Sequence, residues 1–262
     1  MPEVKRKQIY RILVVIIAVS IFAMLIDLSR LFGFYSLYKA VPNDVIKRIT
    51  VVLSAYLLFI SHGCEMDTGD LKLMKIVICL AIIGEAAFLT RATIMAIVLF
   101  AICQLLLIYR HSKGMLRGLM KAAKRQKMLL MSSAGILAAM LLTLRCFAYI
   151  CFKDHVFMSL MPLVFIYGII LSTSLLAALT NYVLKLTPKA NSKLIAAGMV
   201  CFYLCDICVG LDGVMKTGFT WMLVNSAIWL FYTPAVVLLS LSCLRLDDIN
   251  SLSVNQSPPL NS

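Results

Sequence analysis

The sequence is poor in charged residues, and poorest in acids. Charged side chains make up only 14% of the 262 residues, and 12 Asp and Glu are set against 25 Lys and Arg. An ordinary soluble domain carries about 25% charged residues. Apolar residues reach 62% here, and a water-soluble globule of this size could not cover them with so little polar surface. The composition therefore predicts an all-α, polytopic membrane protein.

The sequence also lacks the short motifs of common hydrolases. It contains no HExxH, no GxSxG and no Gly-rich phosphate loop, and its three histidines lie at span ends or in loops. A zinc hydrolase and a serine lipase are therefore disfavoured. Cys201, Cys205 and Cys208 have helical spacing, but no His is near them, so we expect neither a metal nor another cofactor. Most of the nine cysteines lie in apolar runs, where a thiol acts as a small hydrophobe, and no disulfide framework follows.

The net charge of +13 does not indicate a nucleic-acid partner, because the basic residues lie between apolar runs rather than on a separate domain. The segment 110–127 carries seven Lys and Arg and no acid. We interpret it as an orientation signal that contacts anionic lipid headgroups. The expected partners are thus membrane lipids, and the sequence does not indicate an oligomeric state.

Hydropathy predicts eight transmembrane helices in one domain, 1–249, followed by a disordered cytoplasmic tail, 250–262, rich in Ser, Asn and Pro. The third span is short for a bilayer, and the first lacks a cleavage site and is retained. Most Lys and Arg fall on one side, which predicts that both termini are cytoplasmic. The predicted spans are 10–26, 44–60, 75–89, 92–109, 128–144, 156–179, 194–211 and 219–243.

Two acids, Glu85 and Asp206, lie well inside predicted spans, the third and the seventh. A charge in the hydrocarbon is costly and indicates a functional site. The two acids lie at similar depth along their spans, so we expect the third and seventh helices to lie side by side and the carboxyls to share one cavity. The alternative is that each acid makes a structural contact or pairs with Lys39 or Arg91. Asp27, at the end of the first span, is interpreted as a more exposed helix-end residue.

A few other polar or aromatic side chains in the same half of the spans are candidates to hydrogen-bond a substrate. Gln104 is the most informative, because a mid-span amide needs a partner. Tyr and Trp are common packing or interface residues in membrane helices. The candidates are Gln104, Tyr203, Asn225, Ser226, Trp229 and Tyr232.

Four stretches together resemble the YhhN-type lysoplasmalogenase family of polytopic membrane proteins. The family's early Lys-Pro motif is similar to YKAVP at 38–42, and its Gly-Asp motif to IGEAAFL at 83–89. Its late Ser-Asp pattern is similar to AGMVCFYLCD at 197–206, and its aromatic last helix to WLFY at 229–232. This chain departs from the family in having Glu85 for an Asp, Gln104 where a His is frequent, and Cys205 for the Ser.

The resemblance implies cleavage of the vinyl-ether bond of a single-chain lysophospholipid, with Glu85 and Asp206 as catalytic residues and Lys39 as a candidate for substrate binding. Two carboxyls suit this reaction, because it needs a proton donor and a group that supports water attack. We assign Glu85 as the acid and Asp206 as its partner. A proton-coupled transporter or a membrane sensor is the alternative, although no internal repeat and no soluble output domain is visible in the sequence.

Overall fold

The structure is a computed structural model that describes residues 3–151, 155–215 and 217–245; the predicted tail, 250–262, lies outside the described residues. The described chain is all-helical, and its only β-type pairing is an isolated bridge between Glu65 and Leu244. The helices are α1 (Glu3–Leu31), α2 (Tyr35–Ala40), α3 (Asn43–Ile60), α4 (Thr68–Leu89), α5 (Thr93–His111), α6 (Met115–Lys121), α7 (Lys124–Cys151), α8 (His155–Leu184), α9 (Lys189–Val214) and α10 (Phe219–Leu241).

Each predicted span falls largely within one of the eight long helices, and the short helices α2 and α6 occupy connections that were predicted as loops. The third span is longer than expected. Asp67 caps α4, its carboxylate accepting a hydrogen bond from the Gly69 backbone N–H at 3.0 Å. This cap satisfies a free N–H group of the first turn, and the helix reaches 22 residues, from Thr68 to Leu89. At about 1.5 Å per residue it is long enough for a bilayer.

Six of the long helices form a closed ring in the order α3, α4, α5, α8, α9, α10 and back to α3. Outside this ring, α1 packs against α3 and α10, and α7 packs against α8. Consecutive long helices alternate in direction. We call the end where α4 and α9 finish, and where α3, α5 and α10 begin, the upper end of the bundle; the opposite end is the lower end.

Six helices of the described chain are long and apolar enough to cross a membrane, namely α1, α5, α7, α8, α9 and α10. The two other long helices, α3 and α4, fall outside this set. They carry charged side chains within their length, among them Lys47 and Arg48 on α3 and Glu85 on α4. The finding supports a multi-pass membrane protein. In the ring, each of the two charged helices packs against an apolar one, α3 against α10 and α4 against α5.

All six ring helices contribute to one apolar core. A layer of aromatic rings crosses this core, with ring centroids 5.6–6.4 Å apart. We call these side chains the aromatic layer: Phe88, Phe100, Phe202, Trp229 and Tyr232. Gly84 allows the layer to close, since a Cβ at that position would lie 2.9 Å from Cε2 of Phe100.

The lower end is closed by hydrogen bonds between segments distant in sequence. Arg110 donates to both carboxylate oxygens of Asp70, each at 2.7 Å, and Nη2 also contacts Sγ of Cys243 at 3.2 Å. The Asn191 amide donates to the carbonyls of Ser242 and Leu244, both at 2.8 Å. A bidentate Arg–carboxylate pair is among the stronger polar contacts in proteins, so this end of the bundle is firmly joined.

The loop between α3 and α4 belongs to the same closure. Arg245 donates its backbone N–H to the Cys64 carbonyl and its Nε to the Glu65 carbonyl, both at 3.0 Å. Burial of the Glu65 carboxyl raises its pKa, but backbone hydrogen bonds and the neighbouring His62 outweigh burial and lower that pKa below its usual value. Lys5 of α1 donates to the His62 carbonyl. The start of α1, the 61–67 loop and the end of α10 therefore meet at one end of the bundle.

Candidate functional site

The site consists of Glu85 and Asp206, held on opposite sides of the ring. Glu85 follows the first residue of α4, Thr68, by 17 residues, and Asp206 follows the first residue of α9, Lys189, by the same number. At about 1.5 Å per residue both lie some 25 Å from the start of their helices. Their carboxyl groups are close enough for the charges to interact.

The sequence predicted that the two helices carrying the acids lie side by side. In the structure they do not. The main neighbours of α4 are α3 and α5, whereas those of α9 are α8 and α10. The ring explains the difference, because the acids approach each other across its interior rather than through a shared helix interface.

Asp206 is fixed by a tyrosine of α8. The Tyr167 hydroxyl donates a hydrogen bond to Oδ2 of Asp206, with 2.5 Å between the two oxygens. This O–H···O distance is at the short end of the usual range and is typical of a bond to a carboxylate. Tyr167 therefore orients the carboxyl group of Asp206 and leaves its other oxygen, Oδ1, free of this hydrogen bond.

Glu85 is fixed by an arginine of α3. Nε of Arg48 lies 3.5 Å from Oε2 of Glu85, and both side chains are largely buried. The partners proposed from sequence, Lys39 and Arg91, are both exposed, at the end of α2 and in the α4–α5 connection. Glu85 is thus paired with a cation that comes from a different helix.

Asp27 differs most from the expectation, because it is buried rather than exposed. Only 3% of the residue is accessible, and its carboxylate accepts hydrogen bonds from Asn43 at 2.6 Å and from Lys47 at 2.9 Å. Lys47 is equally buried, with Nζ 2.7 Å from the second Asp27 oxygen. The pair joins α1 to α3 in the upper half, where each buried charge needs an opposite charge as its partner.

The aromatic layer brings two of the sequence-predicted residues, Tyr232 and Trp229, close to Glu85 or its partner Arg48, and a third, Gln104, is buried on α5. Tyr232 lies close to Glu85, and its buried hydroxyl forms no hydrogen bond of normal geometry with the described residues. Trp229 stacks edge-on against Tyr232 and lies under Arg48, whose Cζ is 5.5 Å from the ring centroid. Gln104 is fully buried, one turn after Phe100, and neither of its amide atoms has a hydrogen-bond partner among the described side chains and backbone.

The other candidates lie further from Glu85 or point elsewhere. Tyr203 is buried and its hydroxyl accepts a hydrogen bond from Ser172 at 3.4 Å. Asn225 donates to Asp212 at 3.2 Å, nearer the upper end. Ser226 bonds back to the Met222 carbonyl. Lys39 is exposed on α2. None of these four forms a hydrogen bond or an ion pair with either acid among the described residues.

Sequence reasoning missed three residues that pair with acids: Tyr167 contacts Asp206, Arg48 contacts Glu85 and Lys47 contacts Asp27. A signal for α3 was present, since its polar positions Asn43, Lys47, Thr50 and Ser54 recur at helical spacing and are all buried. Thr50 continues this stripe toward α10 through a 3.2 Å contact with Thr233. Such a polar stripe predicts a face turned toward the bundle interior. Tyr167 carries no comparable signal, because a lone Tyr in an apolar run is common.

The described residues contain no group of three or more His, Cys, Asp or Glu that could hold a metal ion. The chemistry that the described side chains can supply is therefore that of two carboxyls, one beside a guanidinium and one beside a phenol. Below the aromatic layer the interior is filled by fully buried side chains, including Leu107, Ala178 and Met199. The site is thus closed toward the lower end.

Comparison with known proteins gives one match. The sequence model of the YhhN family matches residues 42–243, which include α3 to α10 and both acids, and this confirms the resemblance noted above. Searches of curated proteins and of solved structures returned no significant match.

Proposed function

Because the chain belongs to the YhhN family, we propose that it is an integral-membrane hydrolase that cleaves the vinyl-ether bond of lysoplasmalogen-type lysophospholipids. The products are a fatty aldehyde and a glycerophospho-base. The observation that carries the proposal is that Glu85 and Asp206 lie at the same height on opposite helices of the ring, where each acid is held by a separate partner.

The reaction balances with two carboxyls and one water. A carboxylic acid protonates the vinyl carbon that is β to the ether oxygen, which leaves an oxocarbenium-like cation at the α carbon. A carboxylate takes a proton from water as the water oxygen bonds to that carbon. The resulting hemiacetal breaks its bond to the glycerol oxygen, which leaves as a hydroxyl, and the aldehyde is released. Glycosidases divide the same two tasks between paired carboxyls.

The contacts of the two acids support an assignment opposite to the one expected from sequence. The Arg48 guanidinium beside Glu85 stabilises the anionic carboxylate, which suits the group that stabilises the cation and activates water. Asp206 has no cationic partner among the described residues, and it receives its hydrogen bond from a neutral phenol. Asp206 is therefore the proposed proton donor and Glu85 the proposed carboxylate.

The pose of the substrate follows from the closed lower half. The glycerophospho group has to stay hydrated, so it lies at the upper end. The vinyl-ether bond then reaches the acids, and the alkenyl chain extends between the helices. A transporter would need a route to both faces. The fully buried side chains below the aromatic layer, with the Asp70–Arg110 pair beneath them, favour the hydrolase.

The test compares alkenyl and acyl lysophospholipids on the purified protein and follows release of fatty aldehyde. We expect aldehyde from the alkenyl substrate, and loss of turnover by at least about 10²-fold when the proton donor is removed in Asp206→Asn. The double variant Glu85→Gln, Asp206→Asn should be inactive. Aldehyde release by a well-folded double variant would refute the two-carboxyl mechanism.

A further inference from the structure

We propose that Arg48 binds the phosphate of the substrate while it contacts Glu85. A single guanidinium then both binds the phosphodiester and orients the catalytic carboxylate. This inference rests on the proposed function, and it assigns the site a requirement for a phosphate-bearing lipid. It also gives Arg48 a binding role that its contact with Glu85 alone does not imply.

The guanidinium of Arg48 is held in place, but not all of its N–H donors are used in hydrogen bonds. Nη1 donates to the Asp44 carbonyl at 2.8 Å, one turn toward the upper end, and Nε faces Glu85 at 3.5 Å without a hydrogen bond of normal geometry. Nη2 forms no hydrogen bond with the described residues, and 23% of the side chain is exposed. The plane of the group is thus oriented by two contacts, and a donor remains available toward the upper end.

The neighbouring cations are engaged elsewhere. Lys47 is buried and paired with Asp27 at 2.7 Å. Arg30, further up, lies between the rings of Tyr38 and Trp221, with Cζ 4.7 Å and 4.4 Å from their centroids. Of these three cations, Arg48 is the one that is both partly exposed and in direct contact with a catalytic acid.

The chemistry of the substrate brings its phosphate to this position. Only the glycerol carbons separate the vinyl ether from the phosphate, so a bond held against Glu85 places the phosphate within one side-chain length of that acid. An arginine fork matches phosphate oxygens and remains charged at any physiological pH. The Trp229 ring beneath Arg48 limits how far the guanidinium can move.

A binding experiment tests the inference without hydrolysis. The probes are a saturated 1-O-alkyl-glycerophosphocholine, which has no vinyl-ether bond to cleave, and the corresponding 1-O-alkylglycerol, which lacks the phosphate. We expect the wild-type protein to bind the phosphate-bearing probe about 10-fold to 100-fold more tightly, the range for a hydrogen bond to a charged group. Arg48→Gln should bind both probes equally, and Arg48→Lys should keep part of the preference.

The matched control is Arg91→Gln, which removes an exposed arginine at the same end of the bundle. It should keep the wild-type preference. Equal affinity of the wild-type protein for the two probes would overturn the inference, and so would a preference that survives in Arg48→Gln.

Kinetics separate this inference from the proposed function. With alkenyl substrates that have or lack the phosphate, loss of a phosphate contact lowers kcat/KM only for the first, so the ratio of the two values falls in Arg48→Gln. If Arg48 acted through Glu85 alone, both values would fall by the same factor, and the phosphate site would be refuted while the hydrolase remained. A wild-type protein that cleaves neither substrate would refute the hydrolase, and the binding result would still decide the phosphate site.

Discussion

The buried and half-buried acids of the upper half each have a partner on another helix. Asp27 and Lys47 are the clearest case, since both are almost fully buried and the pair is supported by the Asn43 amide. Removing one member of a buried pair leaves an uncompensated charge, whereas removing both does not. The pair therefore holds α1 against α3, but two neutral side chains could replace the two charges without a large loss of stability.

This distinction gives a prediction for Lys47→Met, which leaves the Asp27 carboxylate with Asn43 alone. We expect the free energy of unfolding to fall by about 3–5 kcal/mol, measured by thermal unfolding in detergent. The double variant Asp27→Asn, Lys47→Met should recover most of that loss. Lys39→Met, at an exposed position, is the control and should change little; a double variant no more stable than Lys47→Met would contradict the pairing.

For single residues, the sequence could identify the two acids but not the side chains that contact them. Glu85 and Asp206 are conspicuous because each interrupts an apolar run, and that needs only local information. Their contacts to Arg48 and Tyr167 join positions 37 and 39 residues apart, and depend on which helices become neighbours. Asp27 was misjudged for the same reason: its place at a helix end indicates exposure, and only the packing of α3 against α1 buries it.

Among the elements, the contact between α4 and α5 depends on Gly84, which precedes Glu85 in the chain. A Cβ at Gly84 would lie 2.9 Å from Phe100, whose ring is already packed against Phe88, Phe202 and Tyr232. The ring has little room to withdraw, so an added methyl group would move Glu85 together with its helix.

We therefore expect Gly84→Ala to destabilise the protein by about 1–3 kcal/mol through overpacking. Gly135→Ala is a matched control, because nothing lies within 4 Å of the added Cβ on α7, and a helical Gly→Ala change is stabilising by about 1 kcal/mol. Thermal unfolding of the two variants should shift in opposite directions. Equal shifts would mean that the α4–α5 contact is not tight.

The short helix α6 supports the expected contact of the 110–127 segment with anionic lipid. Leu116 and Met120, four residues apart, are 78% and 75% exposed, and the surrounding segment is basic. Exposed apolar residues flanked by Lys and Arg are typical of a helix in the membrane interface.

We expect anionic vesicle lipid to raise the thermal stability of the purified protein more than zwitterionic lipid does. Replacing Arg117, Lys121 and Lys124 with Gln should remove this difference. The matched control replaces Lys5, Arg6 and Lys7 at the start of α1, and should leave at least part of the difference in place. An unchanged response in the α6 variant would rule out the segment as the lipid contact.

For the helices themselves, local pattern was sufficient to locate them but not to arrange them. Apolar runs and breaks predicted eight transmembrane helices; the described chain has a long helix at each predicted span, and six of these helices are long and apolar enough to cross a membrane. The ring could not be predicted, because the runs are apolar on most sides and therefore do not specify neighbours. The extra first two turns of α4 were missed for a physical reason: Asp70, Lys72 and Lys75 interrupt the apolar run, while the Asp67 cap and the pairing of Asp70 with Arg110 stabilise the helix there.

The whole molecule has one end where distant parts of the chain are tied together and an opposite half that holds the buried charges. Lys5, the 61–67 loop and Arg245 meet at the lower end, which places the start of α1, the α3–α4 connection and the end of α10 on one side. We expect this side to be the cytoplasm, because of the excess of Lys and Arg. We also expect α3 and α4 to cross the membrane despite their charges, which would give eight crossings.

Labelling of single introduced cysteines tests this topology. Intact cells are treated with a maleimide that does not cross the membrane. His62→Cys and Lys113→Cys should stay unlabelled until the membrane is opened, because both lie at the lower end, whereas Arg91→Cys at the upper end should react at once. The unmodified chain, whose Cys79 is also exposed, sets the background. Immediate labelling at position 62 but not at 113 would mean that α3 and α4 do not cross, and the upper half would then lose the hydrocarbon surroundings that make Glu85 and Asp206 exceptional. Labelling at 113 but not at 91 would reverse the orientation, moving the site to the cytoplasmic leaflet and leaving the ring itself unchanged.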